Sequence, residues 1–391
     1  MGAERGGRLR PGGLPLRRRR ALIAGGGVGG LAAALALTRA GWEAKVFERA
    51  PTLGEVGAGL QLGANGYRAL AALGLADRVA AGAWAAPAIE MRRGVGGGLL
   101  TRIPLGGRWG APHLCVHRAD LIEALAATLP EGVVETGVEA GGLAPEGALR
   151  LASGAEFEGD LVIGADGLRS RIRETMLGPE APRFTGYVAW RATVPAAAAP
   201  SQPPAVTAWA GKGRHAVTYP LRGGRLVNFV GIVGEDWRKE GWTEPGDPAA
   251  LRALFGDWAA PVAEIVRAAE APFRWALFDR PRLPRWSEGR AVLLGDAAHP
   301  MLPSLAQGAA QALEDAVALA SRLEAAEPEA ALPAHYAARI GRVSRVQDEA
   351  RANLRRFHSD GAVFGAGVRL AHALAPGWFE RRLDWLYGAE V

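Results

Sequence analysis

The stretch Ala21-Leu-Ile-Ala-Gly25-Gly26-Gly27-Val28-Gly29-Gly30 decides the fold. Ala21 to Ala24 is a short apolar run that reads as a buried strand. Gly25 to Gly30 reads as a turn, and Leu31 to Ala40 as a helix that stops at Gly41. Ala44-Lys-Val-Phe-Glu48 then reads as a second strand. Two parallel strands joined by a helix form a β-α-β unit with a right-handed crossover. Gly25, Gly27 and Gly30 satisfy the G-x-G-x-x-G spacing. In that pattern one glycine makes a tight turn, one lets the backbone approach a pyrophosphate, and one allows close helix–strand packing. The helix N-terminus adds free N–H groups and the positive end of its dipole. Glu48 lies 23 positions after Gly25, where a carboxylate accepts from a ribose 2′-hydroxyl. The unit predicts dinucleotide binding but does not choose between FAD and NAD.

Outward from this unit, Asp120 to Leu129 predicts a further helix and Asp160-Leu-Val-Ile-Gly164 a further buried strand. Residues 182–234 change character and alternate β-formers with turns, including Tyr187-Val-Ala-Trp190, His215-Ala-Val-Thr-Tyr219 and Leu226-Val-Asn-Phe-Val230. Arg222-Gly-Gly224 separates the last two as a hairpin turn would. Residues 247–268 read as helical, Ala291-Val-Leu-Leu294 returns to the parallel core, and a long helix follows near 308–326. From about 333 the pattern is helical to the end. The expected fold class is α/β: a three-layer, Rossmann-like nucleotide domain with an inserted, mainly antiparallel β-sheet domain and C-terminal helices. The expected divisions are a disordered basic tail at 1–16, the nucleotide domain at 17–180 and 280–345, the sheet insert at 181–279, and a helical segment at 346–391.

Composition narrows the function. The net charge of +6 resides in residues 1–20, which hold seven arginines against Glu4. The remainder is neutral, with 39 basic and 39 acidic residues. A nucleic-acid footprint would cluster its charge on one folded face, so no nucleic-acid partner is expected. No 18-residue apolar window lacks charge, so no membrane partner is expected either. The single cysteine, Cys115, cannot form an internal disulfide, which suits a reducing cytoplasm. His113, Cys115 and His117 would share one strand face, but three ligands fall short of a structural zinc set, and no metal is expected.

Two further motifs follow apolar strands. Asp166-Gly167 suits a tight turn that exposes backbone to a ligand. Gly295-Asp296-Ala-Ala-His299-Pro300 places Asp296 where a carboxylate could hold a ribosyl or ribityl hydroxyl. Gln307-Gly308-Ala309 then opens the long helix, whose N-terminus would stabilise negative charge on a reduced flavin ring. In this order and spacing the motifs resemble the class A flavoprotein aromatic hydroxylases, the para-hydroxybenzoate hydroxylase fold. They look most like its salicylate hydroxylase, 3-hydroxybenzoate 6-hydroxylase and 6-hydroxynicotinate 3-monooxygenase branch. The resemblance spans residue 19 to about 391. It includes Glu48-Arg49, Gly57-Ala-Gly-Leu-Gln-Leu62 with Asn65, His117-Arg118-Ala-Asp120, and Trp190-Arg191.

The resemblance implies non-covalent FAD, with NADH or NADPH as a transient co-substrate and O2. Reduced flavin would add O2 at C4a and pass an electrophilic oxygen to a small aromatic acid of the hydroxybenzoate, salicylate or hydroxynicotinate type. It implies that Gly25, Gly27, Gly30, Glu48, Arg49 and Arg118 meet the dinucleotide, with Arg118 at the phosphates or adenosine. Asp166 would serve both FAD and NAD(P)H, Asp296 the ribityl chain, and Gly308 and Ala309 the flavin ring. His215 and Tyr219, four apart on a strand, share one face. The branch uses a His and a Tyr there as base and as partner of the substrate hydroxyl, roles the resemblance carries to both residues. His299 is expected to brace the flavin loop. The resemblance departs at Met301-Leu-Pro303-Ser304, where some members carry glutamine, so a 3-hydroxybenzoate assignment does not carry over directly. No arginine stands out as a carboxylate clamp. A monomer or homodimer is expected. Rival readings are a flavin dehydrogenase or oxidase of the same fold, and hydroxylation or epoxidation of a larger secondary metabolite.

Overall fold

The computed structural model describes residues 18–54, 59–239, 241, 244–358, 366–368, 374–375 and 377–390. The tail expected at 1–16 lies outside these residues, as do Gly57 and Ala58.

Strand Arg20–Ala24 pairs in parallel with Glu43–Glu48 on one side and Leu161–Gly164 on the other. Ala291–Leu293 extends the parallel array past Leu161–Gly164, and the sheet has six strands in all. Ala21 to Ala24 are fully buried, because a strand covered on both faces has no solvent side to make polar. Their side chains alternate between two cores. Ala21 and Ile23 pack with Leu31, Leu35, Leu313 and Leu319 of helices Val28–Arg39 and Gly308–Ala325. Leu22 faces the other way, onto Leu149 and Leu151 of a small antiparallel sheet and Ile172 and Met176 of helix Arg171–Leu177. These are the three layers expected of the α/β body.

The second sheet has eight strands. Arg183–Pro195, Val206–Gly211, Arg214–Leu221 and Leu226–Gly234 supply four neighbouring antiparallel members. Trp190, Phe229 and Val233 bury its outer face against helices Pro248–Phe255 and Ala260–Ala268. Its inner face turns towards the first body.

Two expected boundaries are corrected. The strands Ala88–Arg93 and Leu99–Pro104 lie within 17–180 yet complete the second sheet, with Ala88–Arg93 parallel to Val206–Gly211. The sheet is therefore not a single insert at 181–279. The hairpin hid because Glu90 is buried there between Arg92 and Arg102, which disrupts the apolar alternation that marks a strand. Helix Pro328–Phe357 begins before 333 and runs unbroken across the boundary set at 345. Pro328 sits in its first turn, where a missing N–H costs nothing. Among the described residues no helix is long and apolar enough to cross a membrane.

Candidate active site

A cavity of about 1810 Å³ separates the carboxyl ends of the parallel strands from the inner face of the eight-stranded sheet. Gly25, Gly27, Glu48, Arg49, Arg118, Asp166, Asp296, Gly308 and Ala309 line it. His215 and Tyr219 line it from the other side.

The three glycines divide their tasks as the spacing requires. Gly25 has φ +101°, and a Cβ there would lie 2.4 Å from the Ala165 carbonyl. Gly30 does not line the cavity; a Cβ on it would lie 1.9 Å from the Gly25 carbonyl, so its absence seats the helix on the turn. A Cβ on Gly27 would meet nothing within 4 Å, so its backbone opens onto the cavity. No side chain caps the helix at Gly27, which leaves its first N–H groups for an anion. The Glu48 carboxylate is anchored at both oxygens, accepting from Gly26 N at 2.6 Å and Ala50 N at 2.8 Å. Each oxygen keeps a second lone pair for a hydroxyl.

Asp166 Oδ2 accepts from Arg171 N at 2.7 Å and Ile172 N at 3.3 Å, while Oδ1 is buried with no partner. Burial raises the pKa of this carboxyl against the hydrogen bonds from Ser170, Ile172 and Arg171. A buried acceptor without a donor is costly unless a ligand supplies one.

The Gly295-Asp296 turn is held from below. Gly295 has φ +57°, and its N–H donates to Asp315 Oδ2 at 3.2 Å. His299 Nε2 contacts the same oxygen at 2.6 Å, and Arg339 Nε donates to Asp315 Oδ1 at 2.8 Å. Burial opposes ionisation, but His299 and Arg339 outweigh it and hold the Asp315 carboxyl well below the usual range. Arg339 also pairs with Glu314 at 2.5 Å, as does Arg342 at 2.7 Å. His299 thus braces the loop through Asp315. Ala306 takes the left-handed conformation, φ +52°, just before helix Gly308–Ala325. No side chain caps that helix at Gln307, so Gly308 and Ala309 present free amides to the cavity.

On the opposite wall, His215, Val217 and Tyr219 share the inner face, while Ala216 packs into the outer core. His215 is 1% exposed. Its Nδ1 lies 2.7 Å from His358 Nε2, and its Nε2 is buried with no partner. Burial, then the His358 ring, holds the His215 pKa well below the usual imidazole value. Burial likewise pushes the Tyr219 phenol up, against the charge of Arg191. Arg191 lines the cavity and lies over the Trp275 ring at 4.3 Å. Asn228 is paired with Tyr219 across the strands, and its Oδ1 accepts from Gly59 N at 2.8 Å.

Sequence reasoning missed His358 and Arg191. His358 lies 143 residues from its partner and carries no motif. Arg191 stood in a quoted pair, but only strand parity, with Trp190 outward, assigns it to the cavity. The His113 and His117 rings part: His113 Nε2 contacts Gln61 Oε1 at 3.1 Å, while His117 lies near Asp120. Asp120 in turn accepts hydrogen bonds from Nε and Nη2 of Arg222 in the 222–224 turn, tying the two bodies together.

The open backbone at Gly27, the uncapped helix ends and the orphaned Asp166 oxygen fit a dinucleotide with a flavin ring. Comparison with known proteins agrees. A family model described as FAD binding domain matches residues 18–342. A 3-amino-4-hydroxybenzoate 2-monooxygenase from Streptomyces platensis is 41% identical, with 96% of this chain and 97% of that protein covered. A 3-hydroxybenzoate 6-hydroxylase from Aquipseudomonas alcaligenes is 36% identical, covering 95% and 98%. A salicylate hydroxylase substrate complex superposes with a TM-score of 0.80 at 27% identity, covering 95% and 96%. The chain belongs to the FAD-binding family of flavoprotein aromatic hydroxylases. It is an FAD-dependent monooxygenase, with NADH or NADPH and O2 as co-substrates.

Proposed function

We propose that the chain hydroxylates a small aromatic acid bearing a ring hydroxyl, of the hydroxybenzoate, aminohydroxybenzoate or hydroxynicotinate type. One observation carries the reading: a single cavity is walled by the dinucleotide loops on one side and by His215, Tyr219 and Arg191 on the other. The similarity to a 3-amino-4-hydroxybenzoate 2-monooxygenase makes that acid the first compound to try.

Bound FAD supplies electron transfer from NAD(P)H and the activation of O2. The protein holds and positions. Gly27 and the helix end behind it receive the pyrophosphate, with Arg118 and Arg49 nearby. Glu48 and Asp296 hold ribose and ribityl hydroxyls. Asp166 serves FAD and the passing nicotinamide nucleotide. Gly308 and Ala309 offer amides to the ring. Residues 17–180 without the hairpin at 88–104, together with 280–345, form the cofactor side, and the sheet built from 181–279 and that hairpin the substrate side.

Arg191 gives the substrate wall a positive charge for an anionic ring. Tyr219, its pKa raised by burial, stays protonated and donates to the substrate hydroxyl. His215 Nε2 takes the hydroxyl proton, which makes the ring more nucleophilic. Apolar Ile89, Val206, Val217 and Trp275 keep water from the reacting ring. We place the enzyme in the cytoplasm, as a monomer or homodimer.

The test is NADH and NADPH oxidation by the flavin-loaded protein across a panel of these acids, with the product identified. One acid that speeds oxidation and gains a hydroxyl supports the reading. Oxidation that yields only hydrogen peroxide with every acid contradicts it and favours a flavin oxidase.

A further inference from the structure

We propose that His358 carries the substrate proton out of the site: His215 Nε2 takes it from the ring hydroxyl, and His215 Nδ1–H passes its own proton to His358 Nε2. The inference rests on the base role given to His215 above.

The geometry is that of a relay. The two nitrogens are 2.7 Å apart, within hydrogen-bond reach. Two neutral imidazoles at that distance share one proton. When His215 is the donor, its Nε2 carries a bare lone pair, and that is the buried, unpartnered atom of this cavity-lining ring. His358 caps helix Pro328–Phe357 at its C-terminus and is half-buried, whereas His215 is wholly enclosed. The pair therefore leads outward from the cavity.

Both rings are held. His358 N donates to Leu354 O at 3.2 Å, and its carbonyl accepts from Gly213 N at 3.1 Å, next to the strand that carries His215. Tyr187 packs edge-on to His358 at 5.1 Å, and Phe357 covers His215 at 5.1 Å. Among the described residues no carboxylate perturbs either ring; burial acts on both, and on His215 also the charge of its partner.

That environment explains why a single histidine falls short. A proton left on His215 would be a cation in an apolar wall, which desolvation disfavours. Passing it one ring outward moves the charge to a half-buried group. Burial holds His358 to about 4, so it releases the proton readily. The substrate O–H bond breaks as N–H forms at His215 Nε2. The Nδ1–H bond breaks as N–H forms at His358 Nε2. His358 Nδ1–H then gives its proton to water. One proton leaves and no electrons move. The reverse sequence reprotonates the product and restores both tautomers.

The test mixes flavin-loaded wild type, H215N, H358Q and H358A with 3-amino-4-hydroxybenzoate in dilute buffer and follows its phenolate absorbance by stopped flow. H358Q keeps an acceptor for His215 Nδ1–H but cannot relay. The proposal predicts that both His358 variants bind the acid within about threefold of wild type. Their phenolate should form about 10- to 100-fold more slowly, the scale of a lost proton-transfer group. Imidazole should restore the rate in H358A, and H215N should show no phenolate. A wild-type rate in H358Q, or slow variants that imidazole fails to rescue, overturns the relay while leaving His215 as the base. A normal rate in H215N overturns the base role of His215 and the relay with it. Failure of wild type to bind this acid and every related hydroxybenzoate and hydroxynicotinate overturns the functional reading and the relay together. If H358A does not fold, the rate in H358Q against buffer concentration decides in the same way.

Discussion

The two walls of the cavity are made from different material. The parallel-sheet wall is made largely of backbone: Gly25 and Gly27, with Gly30 seating the helix behind them, two uncapped helix ends, and the amides that fix Glu48 and Asp166. The antiparallel-sheet wall is made of side chains: His215, Tyr219 and Arg191 on one sheet face. A backbone wall demands a particular conformation, and only certain residues permit it. A side-chain wall demands only that strands bring the right groups to one face. The first wall constrains the fold, and the second constrains the chemistry.

Substitutions should separate these roles. The largest effect is expected at Gly30. In Gly30→Ala the new Cβ would lie 1.9 Å from the Gly25 carbonyl, so the helix cannot seat and the purified protein should lack both flavin and a cooperative melt. Gly27→Ala sharpens the contrast. With nothing within 4 Å, the apo-protein should melt as wild type does, while FAD affinity falls about tenfold or more. Equal losses in the two variants would break the distinction between a packing glycine and a ligand-facing one.

Next comes the brace beneath the cofactor wall. Arg339→Met leaves Glu314 and Asp315 buried without their shared partner, and should cost about 3–5 kcal/mol in denaturant unfolding. A change below about 1 kcal/mol would show that Arg342 and His299 suffice.

On the substrate wall, Tyr219→Phe should leave the flavin spectrum and melting point intact and slow hydroxylation about 100-fold. Loss of flavin instead would mean that this wall, too, serves the fold.

The last effect is spread over the interior. Burial depresses His113 and His335 from 6.5 to about 4. The unfolded chain protonates them below pH 6.5, while the folded chain stays neutral until about pH 4. Stability should therefore fall as pH drops across that window, by about 1.4 kcal/mol per pH unit for each histidine. Chemical denaturation at pH 7 and pH 5 measures the slope, and His335→Phe should reduce it. A slope of opposite sign would contradict the buried, neutral state.

The same contrast governs what the sequence discloses. Gly25 and Gly30 are legible because a φ of +101° and two close approaches admit little else, and Gly27 because its spacing from them is local and fixed by the motif. The buried run Ala21–Ala24 is legible because both its faces are covered. His215 and Tyr219 are half legible: strand parity places them together, but nothing local says which face lines a cavity. Arg191 reaches them from a different strand, and His358 from the end of a helix 143 residues on, through contacts that only the assembled fold creates. The hairpin at 88–104 was hidden by its buried Glu90 and the two arginines that pair with it, whose charge imitates a surface segment.

The most direct measurement is the reaction of the flavin-loaded protein with NADH, isotopically labelled O2 and 3-amino-4-hydroxybenzoate, with the aromatic product analysed by mass. The predicted result is one labelled oxygen atom on the ring, with NADH consumption faster than without the acid. Label found only in peroxide and water, with this acid and with the related hydroxybenzoates and hydroxynicotinates, would contradict the assignment of the cavity to aromatic hydroxylation.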